Sequence, residues 1–195
     1  MSVRLATEAD IDSATEVMAT AFQDYGFTRH TIGSADDGPE DHLNRLRRLY
    51  RIFIEHVGLR HGRVWVTDDV TAVAAWTTPD TPPTVFAEVA DELIAIVGDR
   101  VAINAECEAV MGEHRPARPV WFLGAIGVAP GQQGRGLGSA VIAPGLAAAE
   151  AAKVPAFLET SSEGNARWYT GLGFRTVAEY DLPHGGPHTW AMQRD

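Results

Sequence analysis

The chain has 195 residues, 45% of them apolar and 22% charged, with a formal net charge of −10. Such a length predicts one domain over residues 1–195, with a core large enough to need neither metal nor disulfide. An acidic surface repels phosphate backbones, which argues against a nucleic-acid partner, and it attracts cations such as protonated amines.

The single cysteine, Cys107, excludes an internal disulfide and suits a reducing compartment. The opening MSVRLATEAD carries no apolar signal core, and no apolar run is long enough to span a bilayer. The cytosol is therefore the default expectation, with no membrane partner.

Val3 and Leu5 alternate with polar residues and predict a short strand. Thr7 and Asp10 form a capping-box pattern ahead of a helix whose apolar face is Ile11, Ala14, Met18 and Phe22. A second helix is predicted from about Pro39 to Val57, with the stripe Leu43, Leu46, Tyr50, Phe53 and Val57. Arg63 to Thr67 and Thr71 to Thr77 read as two strands joined by an Asp-rich turn. Val85 to about Gly112 is helical in composition, with a break near Gly98-Asp99. Val120 to Val128 (VWFLGAIGV) has the continuous apolar character of a central strand. A Gly-rich turn, Pro130 to Gly138, leads into a helix ending near Ala152, and Pro144 inside that helix should disturb one turn. Pro155 to Thr160 is a strand, Asn165 to Leu172 a short helix, and Phe174 to Leu182 with Thr189 to Gln193 a closing hairpin. The order predicts an α/β (α+β) protein with a mixed, mostly antiparallel sheet flanked by helices.

The chemistry concentrates in Gln133-Gly134-Arg135-Gly136-Leu137-Gly138-Ser139, between a buried strand and a helix. Glycines there allow tight turning and close backbone approach. A helix start supplies free N–H groups and a positive dipole end, so the pattern predicts a pyrophosphate cradle, to which Arg135 adds a cation. No Gly-Lys-Ser/Thr follows, so the loop is not a P-loop, and G-x-G-x-G is not the dinucleotide fingerprint. Asn165 and Tyr169, four apart, fall on one helical face. His184 and His188 have metal-like spacing, but Gly185, Gly186 and Pro187 between them forbid the helix such a site needs, so no metal is expected.

The run Gln133-x-x-Gly136-x-Gly138 resembles the acetyl-CoA loop of the GCN5-related N-acetyltransferase superfamily. Within it, eight stretches resemble the puromycin N-acetyltransferase branch. They run from VRLAT (Val3 to Thr7), AF-x-DY-x-x-TRHT (Ala21 to Thr31), VWV-x-DD (Val64 to Asp69) and AWTTP (Ala75 to Pro79) through WFL (Trp121 to Leu123), QG-x-GLGSAV (Gln133 to Val141), VPAFLETS (Val154 to Ser161) and TW-x-M (Thr189 to Met192). The loop Ile32 to Glu40, the helices Asp91 to Gly112 and the HGGPH turn depart from that likeness.

The resemblance implies acetyl-CoA as cosubstrate and a small-molecule amine, puromycin-like, as acceptor; the alternatives are an enzyme of the same fold acting on another small-molecule, peptide N-terminal or lysine amine, and an acyl-CoA-binding module without turnover. It implies that Ile126, Gly127 and Val128 pair with the pantetheine arm, with Gly124 and Gly127 easing a bulge and its approach, and that Gln133 to Ser139 hold the diphosphate. Asn165 would contact the arm and Tyr169 would protonate the departing thiolate. Tyr25 and His30, after the first helix, would contact the acceptor, unless Tyr25 belongs to the core and His30 caps a turn. Glu159, at the end of PAFLET, would take the amine proton or anchor the ammonium, unless it pairs with an arginine.

Overall fold

A computed structural model describes residues 2–33 and 38–195. The acidic centre of the expected Ile32–Glu40 loop, residues 34–37, lies outside them. The chain opens with β1 (Val3–Leu5), a 3₁₀ turn (Glu8–Asp10) and α1 (Ile11–Ala21). The predicted capping box is in place: Asp10 accepts from the Thr7 N–H at 2.8 Å and takes a bidentate bond from Arg4 at 2.7 and 2.8 Å. Those charge-assisted bonds hold the Asp10 carboxyl well below the usual carboxylate range.

Next comes α2 (Gly26–Thr31), a helix the sequence reading did not contain. Then α3 (Pro39–Arg51) continues without interruption into a π-helical segment, Ile52–Leu59. The apolar stripe therefore runs on as expected, but over a wider winding. β2 (Arg63–Thr67) and β3 (Ala72–Thr77) follow the predicted ranges within a residue. α4 (Ala90–Val97) and α5 (Val101–His114) are separated by a turn at Gly98–Arg100, the expected break, with Gly98 at φ +66°. β4 (Trp121–Val128), α6 (Leu137–Ala152), β5 (Ala156–Thr160), α7 (Glu163–Gly171), β6 (Arg175–Asp181) and β7 (His188–Arg194) complete the chain.

The described strands form one sheet in the order β1-β2-β3-β4-β5-β7-β6, antiparallel throughout except for β4 with β5. Period-2 alternation sorts its two faces. Val64, Val66, Val73 and Ala75 pack on the side of α1, α3 and the π segment, while Ala72, Ala74 and Trp76 pack against α6. α6 continues through Pro144, whose missing N–H leaves the Ala140 carbonyl without its usual donor. The next residue, Gly145, lets the Trp76 indole approach so closely that a Cβ there would sit 2.5 Å from it.

Two features of β4 make the site. Register with β3 pairs Ala75 with Ala125 but Trp76 with Leu123, so Gly124 is an extra, bulged residue. The bulge resets the alternation, which is why Trp121, Leu123, Ile126 and Val128 all face the α6 side. Moreover, β4 meets β5 only at Trp121↔Ala156 and Phe122↔Phe157. Beyond those two pairs the strands diverge and the sheet opens.

Candidate active site

The opening between β4 and β5 has a free strand edge. The Ala129 N–H donates to Thr71 O toward β3, so by alternation Gly127 and Ala125 also turn their main-chain groups to β3. Ile126 and Val128 then present theirs to the side where β5 has left. The Gln133 side-chain Nε2 donates there to the Val128 carbonyl at 3.3 Å, and its side-chain Oε1 accepts from the Gly131 N–H at 2.9 Å. Gln133 thereby braces the turn that follows.

That turn has the backbone its glycines predict. Gly134 and Gly136 stand at φ +76° and +78°, and a Cβ on either would meet nothing within 4 Å. The backbone there is bare to an approaching group. α6 begins immediately, capped by Gly136 itself, and its first intrahelical bond runs from Ala140 N–H to Gly136 O. The N–H groups of Leu137, Gly138 and Ser139 therefore have no intrahelical acceptor. The first turn holds no acidic side chain that would neutralise the dipole. A bare Gly-rich turn feeding a 16-residue helix start is the geometry of an anion seat.

Several nominated residues serve a different purpose. Gly127 is buried under α1, where a Cβ would come 3.0 Å from the Met18 sulfur and 3.2 Å from Ala21, so its smallness seats a helix rather than a ligand. A Cβ on Gly138 would meet Trp168 at an ordinary contact distance of 3.4 Å, so packing does not demand glycine there and its N–H remains part of the seat. The Leu137 side chain belongs to the core, leaving only its main chain for the seat. Arg135 is exposed and bonded to the Gln132 side chain.

On the α1–α5 side the opening widens into a cavity of about 850 Å³. That volume lies within the range of small-molecule sites. Gly124, Ala125 and Ile126 form its β4 wall, while Asn165 and Tyr169 reach it from α7. Tyr169 is 5% exposed, and burial followed by the nearness of Tyr25 pushes its phenol well above the usual range, so it keeps its proton. An aromatic row lines the opposite wall: Phe22 stands 5.0 Å from Tyr50, Tyr50 6.3 Å from Phe53, and Phe53 5.7 Å from Phe86.

Tyr25 lines the cavity as nominated, but its hydroxyl is already engaged with Thr160 Oγ1 at 3.1 Å and the Ser161 N–H. It closes the end of β5 onto the start of α2. His30 is not on the cavity wall. Its Nε2 meets the Pro183 carbonyl at 2.9 Å and its ring fills the space beside Gly186, so it fastens α2 to the β6–β7 turn.

Glu159 lies on the wall with both oxygens taken. Arg115 bonds its Oε2 at 2.8 and 2.9 Å, and the Tyr180 hydroxyl donates to Oε1 at 3.0 Å. Burial raises the carboxyl, and although Arg115 and then Tyr180 oppose it, the net direction is upward. Burial also works against the Arg115 charge, but Glu159 and Glu108 hold the guanidinium protonated. A carboxylate tied to a guanidinium is a poor base, so the arginine-paired alternative is the one observed. Arg115 and Tyr180 were invisible as site residues in the sequence, being 44 and 21 positions from Glu159. His184 and His188 pair with Glu106 and with Asp181 respectively, each at 2.8 Å.

A sequence profile of the acetyltransferase (GNAT) family matches residues 44–174. The fold also superposes on solved acetyltransferases. One, described as histone acetyltransferase HPA2 and related acetyltransferase from Corynebacterium glutamicum ATCC 13032, is 25% identical with a TM-score of 0.77, over 99% of this chain and 94% of that one. An agmatine N-acetyltransferase variant is 10% identical, TM-score 0.64, over 98% and 97%. Arylalkylamine N-acetyltransferase 2 from Aedes aegypti is 13% identical, TM-score 0.59, over 98% and 96%. The last two are likenesses of fold.

Proposed function

The chain belongs to the acetyltransferase (GNAT) family, and we propose that it moves the acetyl group of acetyl-CoA onto the primary amine of a small aromatic acceptor, a puromycin-like aminonucleoside being the first candidate. The observation that carries this is the continuity of three parts: the strand edge at Ile126 and Val128 that β5 leaves unpaired, where only the Val128 carbonyl is met by Gln133, the bare turn at Gly134–Gly136 with the α6 start, and the phenol of Tyr169 in the cavity beside that edge.

The residues fit a coenzyme A thioester. The amides of Gly134 to Ser139 would hold the diphosphate, and the main chain of Ile126 and Val128 would pair with the amides of the pantetheine arm. Asn165, exposed one turn before Tyr169 on the same face, has its side-chain amide free to join them. What acetyl-CoA supplies is an acetyl group activated as a thioester. What the protein supplies is position and one proton: it holds both reactants in a closed space, and Tyr169 delivers its hydroxyl proton to the leaving sulfur. A main-chain N–H on the β4 edge near Ile126 would stabilise the oxyanion of attack.

No strong base is needed if the acceptor is an α-amine beside a carbonyl, because its pKa lies near neutrality and a useful fraction is already uncharged. That agrees with a Glu159 neutralised by Arg115. Glu108 and Glu159 against Arg115 leave one surplus negative charge at this wall, which attracts the ammonium form before it loses its proton. The row Phe22–Tyr50–Phe53–Phe86 suits an aryl group.

The test is thiol release from acetyl-CoA with a panel of puromycin, L-phenylalaninamide, phenethylamine, agmatine and a lysine peptide. Release with puromycin and L-phenylalaninamide is the expected result. Release with agmatine or the lysine peptide alone moves the acceptor elsewhere, and tight acetyl-CoA binding with no release from any amine refutes catalysis.

A further inference from the structure

The buried polar side chains on the cavity wall are mostly spoken for, while half-buried Thr77 and Asn104 and exposed Asn165 have no side-chain bond among the described residues. Among the buried side chains, Thr28 donates to the Phe22 and Tyr25 carbonyls, Thr31 to the Phe27 carbonyl, and Thr160 and Thr189 bond Tyr25 and Ser161. Glu159 has both oxygens occupied. Two buried hydroxyls remain. Tyr169 and Tyr50, each 5% exposed, have no hydrogen-bond partner among the described residues. Neither is among the side-chain atoms fully sealed from solvent without a partner, so both hydroxyls keep contact with the cavity. Tyr169 has a place in the proposed chemistry; Tyr50 has none.

Tyr50 stands on α3, across the cavity from α7, with its ring set between Phe22 and Phe53. The ring is already accounted for by that packing, and a phenylalanine would serve it equally. The hydroxyl is different: it gains nothing from the packing, and its hydrogen-bonding capacity is left for whatever enters the cavity. Tyr25, whose own hydroxyl marks the end of β5, is close enough to both phenols to disfavour their ionisation after burial has done so. Tyr50 from α3 and Tyr169 from α7 line the same cavity, and both stay protonated phenols.

We propose that the Tyr50 hydroxyl is an acceptor-recognition group: its oxygen takes a hydrogen bond from the N–H of the incoming amine and holds the nitrogen toward the β4 edge. This rests on the reading of the cavity as the site of amine acetylation. An ammonium or amine offers donors, and the phenol oxygen has lone pairs that no protein group uses. A hydrogen bond to a charged partner inside a cavity is among the stronger ones, so its loss should show as binding.

The experiment compares the wild type with Tyr50→Phe, which keeps the ring contacts. The probes are L-phenylalaninamide and its des-amino analogue, 3-phenylpropanamide. Three readouts are taken on the full chain: kcat and KM for the amine, calorimetric Kd of each probe with CoA present, and the melting temperature without ligand. We expect KM and Kd for L-phenylalaninamide to rise about tenfold, with KM for acetyl-CoA unchanged. The des-amino probe should bind both proteins equally, and the melting temperature should hold or rise, because an unpaired hydroxyl has been removed. Unchanged KM and Kd for the amine, or an equal loss for both probes, would overturn the role of Tyr50. A wild type that releases no thiol with any amine overturns the underlying reading of the cavity instead, and the inference with it.

Discussion

Replacing Arg115 with alanine should destabilise the fold, and do so in a pH-dependent way that identifies the cause. The Glu159 side chain is 4% exposed and Arg115 is its cationic partner at 2.8–2.9 Å. Breaking a buried pair from one side costs about 3–5 kcal/mol, because the remaining charge stays buried. Arg115 itself keeps 34% of its side chain in solvent, so the lower end, about 3 kcal/mol, applies. For a chain of this length that is roughly 6–12 °C in melting temperature. Burial already raises the Glu159 carboxyl, and Arg115 is the larger of the influences lowering it. Without Arg115 the folded-state value rises further, while the unfolded value stays near 4.3. Between those two values the folded state binds the extra proton, so stability falls as pH rises, by up to about 1.4 kcal/mol per pH unit. The variant should therefore recover relative to wild type when urea unfolding is moved from pH 8 to pH 5, and adding Glu159→Gln should restore part of the loss at pH 8. A deficit below about 1 kcal/mol, equal at both pH values, would refute the account of a desolvated carboxylate dependent on one guanidinium.

Tyr169→Phe should lower turnover by about 100-fold, the usual scale of a positioned acid, with calorimetric acetyl-CoA affinity nearly intact; unchanged turnover would remove Tyr169 from that role. Gly136→Val forces a β-branched residue to φ +78° beside the anion seat, so CoA affinity by calorimetry should drop about tenfold through strain and crowding; normal affinity counts against the seat. Gly145→Ala pushes a methyl into the Trp76 indole on the far side of the sheet. Thermal unfolding should show a loss of about 1–3 kcal/mol, with KM for both substrates unchanged; full stability would mean α6 can shift away from β3.

The second half of the chain was the more legible. Val120–Val128 is apolar throughout because a central strand is covered on both faces, and it became Trp121–Val128. Gly134 and Gly136 could be read because positive φ leaves few other residues to choose from. α2 was missed for a physical reason: six residues starting at glycine and including two threonines carry neither a full amphipathic repeat nor a side-chain cap. The π winding of Ile52–Leu59 leaves the apolar stripe intact, so periodicity cannot report it, yet it lies where Phe53 covers Gly124 at the bulge. His30 was misassigned because its partner carbonyl, on Pro183, is 153 residues away. The Arg115–Glu159 pair was hidden likewise: local pattern reports which face a side chain takes, not which distant group meets it there.

The two short contacts that join β4 to β5 have a bearing beyond catalysis. One half of the sheet, β1 to β4, is tied to the other, β5 to β7, by two residue pairs, with interstrand bonding forgone beyond them. On the proposed reading the coenzyme's arm spans that gap, so the enzyme borrows part of its rigidity from its own donor substrate. Occupancy at 100 times Kd would add about 2.7 kcal/mol to the folded state. The amides of Ile126 and Val128 would then exchange slowly with solvent only while coenzyme is in supply, which makes the lifetime of the protein, as well as its rate, answer to the acetyl-CoA pool.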